Sequence, residues 1–413
     1  MTSETPEVLI GPRLAQLQRE MEAGRAAALA DFWQEVQQRG TPLIEPAEAD
    51  ERVCLVTFIG RAPDESTSVS VRGQITENDD RVEPMTRLPG TDVWHRAYRL
   101  RREQRGEYRL VIGDKDQPDP LNPRRHVLPS GEDSLIANGI VLSELELPGA
   151  PAQPWIAPRP GVAAGRMEQH RLASRLLGNE RLLSVYIPAG YQPAAGPYPL
   201  VVLLDRWAYA EGMAAPTTLD NLIAAGALPP VVAVMVSHID HPTRAREMMG
   251  NPAFADFLAQ ELAPWARQHY AVTQDPARTV IGGVSAGGLA SAYTAWRHPE
   301  MFGQVLSQSG AFHFAPEGDP EAEWLARQLA ESPRQPLTFY IEAGSLEVAT
   351  DEPHQPSLLL ANRHLRDVLH AKGYPVHYSE FCGAHLFGCW RGTFADGLLA
   401  LIGSQAKEAE QHG

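Results

Sequence analysis

An α/β domain lying behind a small all-β sandwich is the architecture that this 413-residue sequence predicts. Three observations predict it. Between Arg52 and about Leu147, short alternating apolar runs are separated by turn residues. Beyond about residue 165, apolar strand-like runs alternate with helical stretches, the pattern of a largely parallel sheet with helices on both faces. Pro148, Pro151, Pro154, Pro158 and Pro160 crowd the stretch between, as a domain boundary does. At ~150 residues per domain the length suits two or three domains. The expected division is an N-terminal helix and entry segment over 1–50, a β-sandwich over 51–150, a Pro-rich linker over 151–168 and an α/β domain over 169–413.

Leu14, Leu17, Met21, Ala28, Phe32 and Val36 recur at roughly helical spacing, so residues 11–39 read as one long amphipathic helix ending before Gly40-Thr41-Pro42. Strands are expected at 53–58, 68–71, 93–98 and 107–112, with the period of two that a half-buried antiparallel sheet requires. In the second domain 182–187 leads in. Residues 200–204, 231–236 and 279–281 are apolar enough for central strands, and strand-like runs recur at 337–342 and 376–381. Helical stretches are expected near 213–225, 252–270, 287–297, 321–331 and 357–372.

Composition excludes several classes of function. Lys and Arg number 36 against 51 Asp and Glu, a formal charge of −15, so no global positive field exists to hold nucleic acid or an anionic membrane. An anionic substrate would need local cations. No apolar run approaches the roughly 18 residues of a spanning helix. The start, Met1-Thr2-Ser3-Glu4-Thr5-Pro6-Glu7, lacks the basic and apolar segments of a secretory signal, so a cytoplasmic protein is expected. Three cysteines, Cys54, Cys382 and Cys389, are too few for a disulfide framework.

Chemistry concentrates at Gly283-Val284-Ser285-Ala286-Gly287, set between the apolar run Thr279-Val280-Ile281 and a helix continuing through Leu289. A sharp strand-to-helix turn crowds the backbone, so flanking side chains must be absent, and the serine is pushed out above the sheet. That is the nucleophile elbow of an α/β-hydrolase, and it makes Ser285 the candidate nucleophile. A serine also needs a base, oriented by a third group, in the chain order serine, acid, histidine. Among 14 histidines, His385 is the candidate, because it hangs in a loop just past the strand-like Val376–Phe381. His364 and His370 fall on a helix face, and His298 at a helix end. Glu347, just past the run 337–342, is the candidate acid, with Asp351 and Glu352 as rivals. An oxyanion hole needs two backbone N–H groups, expected from Ala286 and from Arg206 or Trp207 after Leu203-Leu204-Asp205. Trp207 also reads as pocket wall. The spacing Cys382-x-x-His385-x-x-x-Cys389 admits a metal reading, but one cluster without a second pair argues against it. No cofactor or protein-held metal is expected.

Several stretches resemble the enterochelin (enterobactin) esterases: Arg244-Ala245-Arg246-Glu247-Met248-Met249-Gly250-Asn251, Phe257-Leu258-x-x-Glu261-Leu262-x-Pro264, Gly283 to Leu289, and Leu306-Ser307-Gln308-Ser309-Gly310. Gly90-Thr91-Asp92-Val93-Trp94, Pro118 to Pro123, Leu145 to Pro154 and Gly40 to Pro46 are similar to that family's N-terminal region. Gly383-Ala384-His385-x-x-x-Cys389-Trp390-Arg391-Gly392 and Gly344-Ser345-Leu346-Glu347 are similar to its histidine and acid segments. The resemblance implies an immunoglobulin-like sandwich before an α/β-hydrolase domain. It further implies hydrolysis of the ester bonds of a ferric catecholate trilactone in the cytoplasm, iron arriving with this small-molecule substrate. Arg206 stands where the family is expected to have glycine, and Ala286 where a larger residue is common. Arg206, Arg244 and Arg246 are the cations expected to hold the anionic substrate, since guanidinium pairs with anions and stacks on aromatic rings; Arg244 also reads as a plain surface charge. An esterase of acylated sugars or feruloyl esters is the alternative within the same chemistry. A non-catalytic binding protein on a hydrolase scaffold is the alternative outside it.

Overall fold

The computed structural model describes residues 9–47, 50–63, 66–136, 138–350 and 355–404. The chain forms two compact units that are not contiguous in sequence. The first takes residues up to Leu128, Ile140–Pro151 and Cys382–Gly388; the second takes Pro129–Gly139, Ala152–Phe381 and the chain from Cys389 on.

The first unit begins with two helices, α1 (Pro12–Glu22) and α2 (Ala28–Arg39), in place of the single helix expected. Ala23 N–H closes on Arg19 C=O, and Gly24 then takes φ +74°, a left-handed conformation that ends a helix at little cost in glycine. The break lets Leu14 and Leu17 of α1 pack in one core with Phe32 and Val36 of α2 and with Leu43, Ile59 and Val93.

Among the described residues ten strands follow: β1 (Leu43–Pro46), β2 (Val53–Arg61), β3 (Val69–Gly73), β4 (Arg81–Pro84), β5 (Thr86–Arg87), β6 (Val93–Arg101), β7 (Arg105–Ile112), β8 (Lys115–Gln117), β9 (Arg125–Leu128) and β10 (Ile140–Glu146). They make two antiparallel sheets, in the orders β1-β2-β6-β5 and β4-β3-β7-β10-β9, with β8 beside β7. Val56 and Phe58 of β2, Val69 and Val71 of β3, Tyr108 and Leu110 of β7, and Leu145 of β10 share one core. Alternate residues of both sheets thus face each other, which makes the unit a sandwich.

Among its described residues the second unit is built on eight strands: β11 (Arg166–Ser174), β12 (Asn179–Ile187), β13 (Leu200–Leu204), β14 (Val232–Val236), β15 (Thr279–Val284), β16 (Gln304–Gln308), β17 (Thr338–Gly344) and β18 (Val376–Phe381). Their order is β11-β12-β14-β13-β15-β16-β17-β18, antiparallel through β14 and parallel from there to β18. The helices are α3 (Ala215–Ala224), α4 (His241–Met248), α5 (Pro252–Phe257), α6 (Ala263–His269), α7 (Ala286–Arg297), α8 (Trp324–Glu331), α9 (Leu358–Ala371) and α10 (Phe387–Ile402). The helical run expected over 252–270 is continuous but widens at Leu258–Leu262. Pro264 has no N–H for the carbonyl one turn back, a usual cause of such a bulge. Strands β13 to β16 are wholly buried, as expected of parallel strands covered on both faces. Because β13 to β18 run parallel, the segments after β13, β14, β15, β16 and β17 leave the same edge of the sheet, where α/β enzymes place their sites. Among the described residues, no helix is long and apolar enough to cross a membrane.

Candidate active site

Ser285 stands between β15 and α7 with φ 56° and ψ −121°, a backbone conformation outside the common regions for a residue with a side chain. Every residue from Thr279 to Ala295 is buried except Ser285, which is half-buried. The sequence explains why the chain can turn so sharply here. A Cβ on Gly283 would come within 2.4 Å of the Gly287 backbone, and one on Gly288 within 2.5 Å of Ser307 Oγ. The turn is pinned by Ser285 N–H donating to Gln308 C=O at 2.9 Å, and by Ser285 C=O accepting from Ala311 N–H at 3.0 Å. Ala286 opens α7, so its N–H belongs to the first turn, whose donors have no acceptor within the helix.

After β13, Asp205 is wholly buried and itself has φ 64°. Arg244 grips its carboxylate with Nε at 2.7 Å and Nη2 at 2.6 Å, and His238 Nδ1 lies 3.2 Å away. Burial would raise the Asp205 pKa, but Arg244 and His238 outweigh it and hold the carboxyl at about 2. A Cβ built on Gly287 would lie 3.5 Å from Asp205 Oδ2, which places this carboxylate beside the first turn of α7. Nothing in the local pattern announces the Asp205–Arg244 pair. Its one trace in the sequence is a carboxylate closing an otherwise apolar strand.

The three arginines expected to hold substrate differ sharply. The Arg206 side chain is only 5% exposed and is paired with Asp133, with Nε 2.9 Å from Oδ2 and Nη2 on the other oxygen, and with Glu211 at 3.0 Å. Its charge is balanced inside the protein. Arg244, 16% exposed, is neither a plain surface charge nor an unpaired cation. Arg246 is exposed, with Nη2 donating to Thr243 Oγ1 at 2.8 Å. Trp207 is fully buried and gives its indole N–H to Pro129 C=O at 3.0 Å, so its ring is packed inside the fold. The segment from Pro129 thus packs over the Arg206-Trp207 turn, and a Cβ on Gly131 would lie 2.9 Å from Trp207 Cδ1.

Glu347 follows β17, is 0% exposed, and accepts Gly344 N–H at 2.9 Å on Oε2. Asp351 and Glu352, its rivals, lie outside the described residues. His385 lies between β18 and α10 in the segment Cys382–Gly388, which belongs to the first unit, and its N–H donates to Gln74 Oε1 at 3.0 Å. Among the described residues there is no group of three or more His, Cys, Asp or Glu placed to hold a metal ion, Cys382 and Cys389 included.

Beneath the elbow lies a carboxylate that sequence reasoning left unused. Glu342 of β17 is fully buried; Gln308 Nε2 donates to it at 2.9 Å, Tyr340 OH at 2.8 Å, and Thr393 OH from α10. Burial pushes its pKa up to about 7, and the three donors offset this only in part. A carboxyl protonated in the fold and ionised when unfolded stabilises the protein fully below the ordinary carboxylate range, and that stability is lost as pH rises through about 7. Glu342→Gln is therefore expected to flatten the fall in unfolding midpoint between about pH 4.5 and 7. Thermal unfolding of both proteins across that range checks it, and parallel curves would refute it.

Residues 174–401 match a family described as a putative esterase, and residues 55–156 match the N-terminal domain of enterochelin esterases. An iron(III) enterobactin esterase of Dickeya dadantii is 31% identical over 90% of this chain and 92% of its own. The ferric enterobactin esterase of Salmonella typhimurium superimposes with a TM-score of 0.76 at 27% identity, over 90% of this chain and 98% of that one. The enterobactin esterase of Shigella flexneri, solved in the presence of enterobactin, does so with a TM-score of 0.73 at 28% identity, over 90% and 97%.

Proposed function

Because this chain belongs to the enterochelin esterase family, a group of carboxylic ester hydrolases, we propose that it hydrolyses a ferric catecholate trilactone of the enterobactin type, and does so in the cytoplasm. The observation that carries the reading is the elbow itself: a strained, half-buried Ser285 standing alone among buried residues at the end of a central parallel strand. Ser285 Oγ attacks a lactone carbonyl carbon while His385 takes the hydroxyl proton and Glu347 holds the imidazole. The N–H groups of Ala286 and of the Arg206-Trp207 turn receive the oxyanion. Collapse of the tetrahedral intermediate breaks the C–O bond, His385 returns its proton to the departing alkoxide of the substrate, and water then releases the acyl group from Ser285 by the same steps. Iron enters as part of the substrate.

The anionic complex has to be met by a cation, and Arg246, in α4 beyond β14 on the functional edge of the sheet, is the exposed one of the three considered. Mass spectrometry of products from ferric and iron-free enterobactin tests both points. The trilactone is expected to give linear trimer and then shorter fragments. Arg246→Gln is expected to slow consumption of the ferric form several-fold more than that of the iron-free form. An intact trilactone after long incubation would reject the substrate, and equal slowing of both forms would reject Arg246.

A further inference from the structure

We infer that Gln74 is a positioning residue for the catalytic base, holding the main chain of His385; this rests on His385 being that base. The segment Cys382–Gly388 belongs with the sandwich and not with the sheet from which it emerges. Three contacts tie it there. Arg105 N–H, at the start of β7, donates to Cys382 C=O at 3.0 Å. His385 N–H donates to Gln74 Oε1 at 3.0 Å. At Gly388 the loop lies so close to Glu107 of β7 that a Cβ would stand 2.4 Å from the Glu107 carboxylate. Glu107 is itself fixed, buried and paired with His126 of β9.

Gln74 is held in readiness by its neighbours on both sides. Gly73 pairs with Tyr108 at the end of β3, where any Cβ would strike the Glu107 carbonyl at 2.5 Å, so the strand lies tightly on β7. Ile75 C=O accepts from Gln104 Nε2 at 2.6 Å. The side-chain carbonyl of Gln74 is thus presented from a rigid strand end to the main chain of His385 itself, and rotation of that peptide would carry the imidazole with it. Displacement of a reacting group by about 1 Å costs on the order of 100-fold in rate, so a tether of this kind should register in kcat.

Steady-state hydrolysis of p-nitrophenyl butyrate by the full-length chain tests this. Gln74→Met, which keeps the length and loses the acceptor, is expected to lower kcat about 10-fold or more with KM within twofold. Gln74→Glu, which keeps an acceptor, is expected to recover kcat to within about threefold, and to move the acid limb of the kcat/KM profile to higher pH, because a nearby carboxylate favours the imidazolium. A purely structural role would leave that limb in place. His385→Ala separates the two layers of the argument. If it is inactive while Gln74→Met keeps wild-type kcat and pH profile, the positioning role is overturned and the base stands. If His385→Ala hydrolyses the ester at the wild-type rate, the base assignment falls, and the role of Gln74 with it. Should Gln74→Met fail to fold, an unmoved acid limb in Gln74→Glu alone rejects the proposal.

Discussion

Ser285→Ala is expected to lower kcat for ester hydrolysis by about 10,000-fold or more, with circular dichroism and unfolding midpoint close to wild type. The size follows from the chemistry: without the hydroxyl no acyl-enzyme forms, and only the oxyanion donors and substrate binding remain to accelerate attack by water. The fold should tolerate the change because Ser285 contributes its backbone, not its side chain, to the described hydrogen bonds of the elbow. Alanine keeps those bonds and still fits beside Gly283 and Gly287. A fluorophosphonate probe should label the wild type and leave the variant unlabelled. Undiminished turnover in the variant would remove the nucleophile assignment and the mechanism built on it.

Arg244→Met is expected to destabilise the protein by about 3–5 kcal/mol at neutral pH, the cost of leaving one partner of a buried ion pair behind. Asp205 is the residue left behind, wholly buried at the end of β13. Its sign with pH should reverse. In the wild type the carboxyl is held at about 2, so its contribution is present above the ordinary carboxylate range and is lost as pH falls toward 2. Without Arg244, burial dominates and raises the pKa, so the variant's penalty should shrink as pH falls and the carboxyl protonates, and grow as pH rises. Urea unfolding at pH 4.5 and pH 7.5 checks this. A penalty of equal size at both would mean that the lost charge pair is not its cause.

Much of this molecule was legible in its sequence because the informative signals are local. The run 200–204 is the strand expected, and the central strand expected over 279–281 continues to Val284 at the elbow. The elbow can be read from five residues because steric crowding within one turn dictates them. Sandwich strands at 53–58 and 107–112 were visible through alternation, although each extends further than expected. What escaped depends on partners far apart in sequence. The edge strand β11 alternates no apolar face, since its residues are mostly exposed or half-buried. The break between α1 and α2 is decided by the core both must share, which helical spacing alone does not reveal. Arg206 reads as a cation until Asp133, 73 residues earlier, is placed against it. The raised pKa of Glu342 likewise comes from burial in the assembled sheet, offset only in part by donors such as Thr393, 51 residues later.

The interlaced course of the chain bears on how the protein is made. A ribosome delivers the sandwich strands early, yet the seven residues Cys382–Gly388 that complete that unit emerge only after the whole sheet has been synthesised. Newly made polypeptide therefore carries the elbow serine for nearly a hundred residues before the histidine loop exists, and a product truncated anywhere before Cys382 lacks both the loop and the last helix. Completion of the first unit is thus deferred until translation has passed Gly388.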